Sequence, residues 1–235
     1  QEEIASYTAA SIAAPFGAVN RYNRRELCGR HDSMAAYEGV LRYYGITLSP
    51  TRHDADALLK DVIEITERHP DFSTGWAIRS LLNIFVITQS FPVKDVEYHL
   101  READRTGRRA ISADSQNAMG YYALYQAYFH KGEFDDANRI IRRALALNPN
   151  DYAMLAYFAV GLALRGDLEP ARAMQAAAMR LVGRAPPWFS VPTMLVDFQS
   201  GNYEAVTKWL ADDAHATPGG FQVFAIAAMA HLGRN

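Results

Sequence analysis

Two adjoining stretches decide the fold: AMGYYALYQAYFHKGEFDDANRIIRRALALNPN from Ala118 to Asn150, and DYAMLAYFAVGLALRGDLEPARAMQAAAMRLVG from Asp151 to Gly183. Laid over one another at an offset of 34 residues, they coincide at Ala137 and Ala171, Ala144 and Ala178, and Gly132 and Gly166. Leu124 and Phe158, Tyr128 and Leu162, Phe134 and Leu168, and Leu147 and Leu181 fall in the same phase. The two alanine series reach back by the same step to Ala103 and Ala110. A shared period of this length is the mark of a repeat architecture and overrides any reading made element by element.

The residue types that recur follow from what each repeat must do. A pair of antiparallel helices cannot hide its apolar faces alone, so neighbouring pairs stack and share a core. Alanine belongs where helices cross closely, which is the place predicted for the 103/137/171 and 110/144/178 series. Gly132 and Gly166 end the first helix of their units, because glycine adopts the left-handed conformation without a Cβ clash. Glu133 and Asp167 then stand at the start of the second helix, where the helix dipole favours negative charge. Pro149 stops that helix and turns the chain into the next unit.

On these residues the chain resembles the tetratricopeptide repeat family. Tyr121, Leu124, Tyr128, Gly132, Phe134, Ala137, Ala144 and Pro149 match its pattern, and Tyr152 to Gly183 forms a second good match in which Gly183 replaces the terminal proline. Upstream, Ser73 to Ser115 keeps Trp76 and the small Ser80 but carries extra residues around Phe91-Pro92-Val93-Lys94. Asp32 to Pro70 resembles a degenerate unit whose second helix is about one turn longer than the pattern. Downstream, Gly201-Asn202-Tyr203-Glu204-Ala205 is a shortened recurrence of the Gly132 to Ala137 motif, and Phe221 to Gly233 reads as the first helix of a sixth unit. The resemblance implies an all-α, right-handed superhelical solenoid of about five to six repeats over residues 30–235.

Residues 1–29 differ. Ile4, Ala5, Thr8 and Ile12 lie at helical spacing, Pro15-Phe16-Gly17 ends that segment, and Arg21 to Arg30 reads as a basic linker. The junction is similar to that of bacterial multidomain regulators, including winged-helix transcription factors and some nucleotide cyclases, in which a TolB-like domain precedes a divergent repeat array. This second resemblance implies the sensory or interaction part of a longer regulatory protein, with 1–29 the remnant of a preceding domain.

Composition narrows the function classes. The chain has 235 residues, 49% hydrophobic and 21% charged, an ordinary globular balance. A net charge of −2 removes the broad electrostatic reason for direct nucleic-acid binding. No apolar run approaches the ~20 residues of a bilayer span, so membrane insertion is not expected. A cytoplasmic location fits the single Cys28, and a preceding membrane helix would shift it to the periplasm. Homo-oligomerisation stays open.

Chemistry is sparse. None of the seven histidines forms the zinc-protease pair with an intervening glutamate, and no phosphate-binding glycine loop is present. No nucleophile and base pair can be named. The expectation is therefore a non-enzyme with no catalytic residue, no metal and no cofactor. Arg105, Arg108 and Arg109 recur as Arg139, Arg142 and Arg143, a stripe on the second helices that reads first as solvated surface and second as a site for an acidic partner or a phosphate backbone. In the family the first helices line the concave surface. Transferring those positions gives Phe85, Tyr122, Gln126, Phe129, His130, Tyr157, Leu164 and Trp188 as the candidate groove. Such a lining favours a protein or peptide segment with apolar anchors. The alternative is a small-molecule-sensing domain of a transcriptional regulator or cyclase.

Overall fold

The computed structural model describes residues 35–48, 51–89, 93–182, 185, 187–211 and 221–234. The segment over 1–29 lies outside them. Among the described residues all regular structure is helical, in eleven α-helices and one 3-10 turn. The first six are α1 (Ala35–Leu48), α2 (Arg52–Arg68), α3 (Ser73–Thr88), α4 (Val96–Ala113), α5 (Ala118–Lys131) and α6 (Phe134–Leu147). After these come α7 (Tyr152–Leu164), α8 (Leu168–Leu181), the 3-10 turn Pro187–Ser190, α9 (Val191–Gln199), α10 (Tyr203–Ala211) and α11 (Gln222–His231). The helices pack in consecutive pairs, and they divide into two compact units, the first ending at Asn150 and the second starting at Asp151.

In the first unit the second helices show why small residues recur. Ala103, Ala110, Ala137 and Ala144 are buried, the first two on α4 and the others on α6. Ser80 on α3 donates its hydroxyl to the Ala103 carbonyl at 2.7 Å, and Ser73 donates to that of Ala110 at 2.8 Å. Backbones this close leave room for little else. Gly107 on α4 is the extreme case: a Cβ there would stand 3.2 Å from the Leu124 Cα on α5. Asn117 ties the start of α5 back to α3, accepting from the Met119 N–H while its amide donates to the Ser73 and Thr74 hydroxyls. The first helices α3 and α5 are thereby set side by side.

The second unit repeats the scheme. Ala171 and Ala178 are buried on α8, which pairs with α7. Gln199 of α9 donates to the Ala163 carbonyl at the end of α7, at 2.6 Å. The fully buried Phe189, Val191, Met194 and Leu195 fill the interior beneath α9.

Helix punctuation matches the sequence expectation and extends it. Gly132, Gly166, Gly201 and Gly233 all have φ between 67° and 82°. At each, the glycine N–H bonds the carbonyl three residues back and the next N–H bonds the one five back from itself. Four first helices thus end in one and the same left-handed cap, the Schellman arrangement. Glu133 and Asp167 are the N-caps of α6 and α8 without making a side-chain cap bond, so their contribution is the dipole interaction. α6 ends at Leu147, two residues before Pro149, and α2 is longer than α6, 17 residues against 14.

Candidate functional site

The eight groove candidates fall in both units, and each set is taken by itself. On α5, Tyr122, Gln126, Phe129 and His130 follow one helix face at i, i+4, i+7 and i+8. Their burial grades along that face. Tyr122 is buried, Gln126 and Phe129 are half-buried, and His130 is exposed. The Gln126 side-chain amide donates to the Tyr122 hydroxyl at 2.7 Å, which fixes the amide's orientation. Tyr122, Tyr125 and Phe129 form a continuous aromatic row, with centroids 6.3 Å and then 5.9 Å apart, and Phe129 meets Phe134 of α6 edge-on at 5.4 Å. Phe85, on α3, is buried, and so stands among the core residues of this unit.

His130 closes the row, its ring edge-on to Phe129 at 5.5 Å. Although His130 is exposed, desolvation by the surrounding protein disfavours its charged form and lowers its pKa to about 4. At neutral pH the imidazole is uncharged, with one nitrogen donating and the other accepting. The face therefore offers an amide, a neutral imidazole and an aromatic edge, with no formal charge among its four residues.

In the second unit Tyr157 of α7 stacks on Trp188 at 4.3 Å, and Trp188 leans on Phe189 at 4.4 Å. Burial raises the Tyr157 pKa to about 12, so its hydroxyl stays protonated. Trp188 is buried within the 3-10 turn, whereas Leu164, the last residue of α7, is exposed. Gln175 donates to the Phe189 carbonyl, locking the turn onto α8. Near this lock, Gln175 Oε1 and Trp188 Nε1 are buried without a hydrogen-bond partner among the described residues.

Three of the six arginines of the stripe, Arg105, Arg108 and Arg139, are ion-paired within the first unit. Arg108 holds Asp104 at 2.6 Å and donates to the Tyr128 hydroxyl at 2.6 Å, and Lys131 reaches the same carboxylate at 3.0 Å. Burial works against the Asp104 carboxylate, and the bonds from Lys131 and Arg108 outweigh it, leaving its pKa below the usual value. Arg105 is engaged by Glu102, and Arg139 by Asp136. Arg109 caps the Pro70 carbonyl and lies over Trp76.

Sequence reasoning passed over a polar seam between α3 and α4. Arg79 meets Glu102 at 3.4 Å with both side chains mostly shielded, and His99 Nδ1 lies 2.8 Å from Asn83 Oδ1. The signal was present: Arg79 and Glu102 each precede a member of the Ser80 and Ala103 crossing pair by one residue. Among the described residues, no group of three or more His, Cys, Asp and Glu side chains converges as a metal site, and no helix is long and apolar enough to cross a membrane. Compared with known proteins, the chain matches no family model and no curated protein.

Proposed function

We propose that the chain is a tetratricopeptide-like scaffold that binds a segment of another protein, as the non-catalytic interaction part of a bacterial regulatory protein. The observation that carries this reading is the α5 face, where an aromatic row grades from buried Tyr122 to exposed His130 and ends in uncharged hydrogen-bonding groups. Such a face suits a peptide that inserts apolar anchors against Phe129 and satisfies its backbone on Gln126 and His130. The superhelical arrangement and the five to six repeats belong to the same proposal, supported by the four identical glycine caps.

Tyr122 is unsuitable as a probe, because removing a buried ring costs stability as well as contact. Gln126→Ala with His130→Ala is cleaner. Peptides selected on the wild-type protein from a random displayed library should bind this double variant about tenfold more weakly or worse, with helical circular dichroism unchanged. Equal binding by both proteins rejects the α5 face.

A second reading, small-molecule sensing, rests on the unmatched Gln175 Oε1 and Trp188 Nε1. Buried polar atoms without partners are costly, and a ligand group that satisfied either of them would recover part of that cost. A thermal shift induced by one metabolite and abolished by Trp188→Phe would favour it.

A further inference from the structure

Across α4 and α6 the arginine stripe repeats in burial as well as in sequence. At the 34-residue offset Arg105 and Arg139, Arg108 and Arg142, and Arg109 and Arg143 are all exposed, while Asp104 and Asn138 are both half-buried. Contacts recur too. Arg105 is paired to Glu102 three residues back, and Arg139 to Asp136 at the same interval. Arg109 lies over the Trp76 ring at 5.8 Å, and Arg143 lies over Tyr121 at 5.9 Å.

At one position the two repeats part. Arg108 holds the Asp104 carboxylate four residues back, but the residue that stands there for Arg142 is Asn138, an amide with the shape of aspartate and none of its charge. After Asp135 and Asp136 in its first turn, α6 has no further acid. Among the described residues of the first unit, every other arginine meets a carboxylate or, for Arg109, the Pro70 carbonyl. Arg142 and Arg143 meet neither among those residues, and Arg143 has the Tyr121 ring. Two adjacent guanidinium groups, one of them steadied on an aromatic face, are thus left exposed with no anion of their own.

We infer that Arg142 and Arg143 form a docking point for an acidic segment of a partner protein, whose carboxylate takes the place that Asp104 holds in the preceding repeat. The guanidinium fork matches a carboxylate in bidentate geometry. A nucleic-acid backbone fits less well, because it gains affinity through many phosphate contacts, and this pair stands on a helix whose first turn is acidic. The residues are separate from those of the α5 face, so either surface can fail without the other.

Hexaglutamate carrying an uncharged dye is titrated against the whole chain by fluorescence anisotropy at low salt. It should bind saturably, and should bind Arg142→Gln/Arg143→Gln about tenfold more weakly or worse. Both side chains are exposed, so helicity and melting temperature should hold. Asn138→Asp restores to α6 the carboxylate of the earlier repeat and should weaken hexaglutamate severalfold, by occupying Arg142 from within. Arg68→Gln/Arg101→Gln removes two arginines already held by Glu64 and Glu97, and should bind as the wild type does.

No saturable binding, or equal affinity for the wild type and the Arg142/Arg143 variant, overturns the inference. An equal loss in the Arg68/Arg101 variant does the same, because the attraction would then follow net charge alone. Unchanged binding by Asn138→Asp would mean that the carboxylate does not take the place of Asp104. A labelled oligothymidylate that binds more tightly than hexaglutamate, and fails on the Arg142/Arg143 variant, assigns the pair to a phosphate backbone and overturns the acidic segment.

Discussion

Asp151 shows how a single side chain can serve a helix and oppose its own charge. It caps α7, accepting from the N–H groups of Ala153 and Met154 at 3.0 Å each. Burial raises its pKa to about 6, against the lowering effect of those two bonds. Since the folded pKa lies above the unfolded one, the contribution of this group to stability is complete below about pH 4 and is lost as the pH rises through about 6. Asparagine keeps the accepting oxygen and removes the charge. Asp151→Asn should therefore match the wild type near pH 4 and exceed it at pH 8 by on the order of 2 kcal/mol, measured by urea denaturation at both values. A stability difference that does not change between these pH values contradicts the buried, raised carboxyl.

Among the elements, legibility divided along physical lines. The second helices were readable because each buries a single narrow stripe, and a stripe that must sit against a neighbouring backbone recurs with the repeat. The first helices were less so. α7, Tyr152–Leu164, is apolar nearly all round because neighbours flank it, so no period says which ring meets water. Hence Tyr122, Gln126, Phe129 and His130 share one face of α5, while the burial of Phe85, Tyr122 and Trp188 is set by neighbouring elements that no spacing announces. The same helices allow two glycines to be set against each other. Gly107→Ala places a methyl 3.2 Å from the α5 backbone, and the helices must part, costing about 1–3 kcal/mol despite the better helix propensity. Gly45→Ala on α1 meets nothing within 4 Å and should stabilise by about 0.5–1 kcal/mol. Chemical denaturation of both variants checks the pair, and a stabilised Gly107→Ala would mean that α4 and α5 are not in backbone contact.

For the whole molecule, the decisive property is that helices pack on those next to them in sequence, or next but one, as α3 does on α4 and α5, and α7 on α8 and α9. Stability in such a chain is close to a sum of local terms and nearest-neighbour interfaces. Each unit also owns large, fully buried side chains: Leu41, Leu58, Leu82 and Ile141 in the first, Phe189, Met194 and Leu195 in the second. If the sum is local, residues 35–150 produced alone should retain the helicity per residue of the parent and melt in one cooperative transition. Leu82→Ala, which empties a fully buried site, should then lower the stability of this fragment by about 2–5 kcal/mol. The same change in the full chain should shorten amide-exchange protection in α2 to α5 and leave α8 and α9 as they were. A fragment that melts without a cooperative transition, or protection lost evenly from α2 to α11, would show that the array is held by a single indivisible core, and the nearest-neighbour account of this repeat chain would fail.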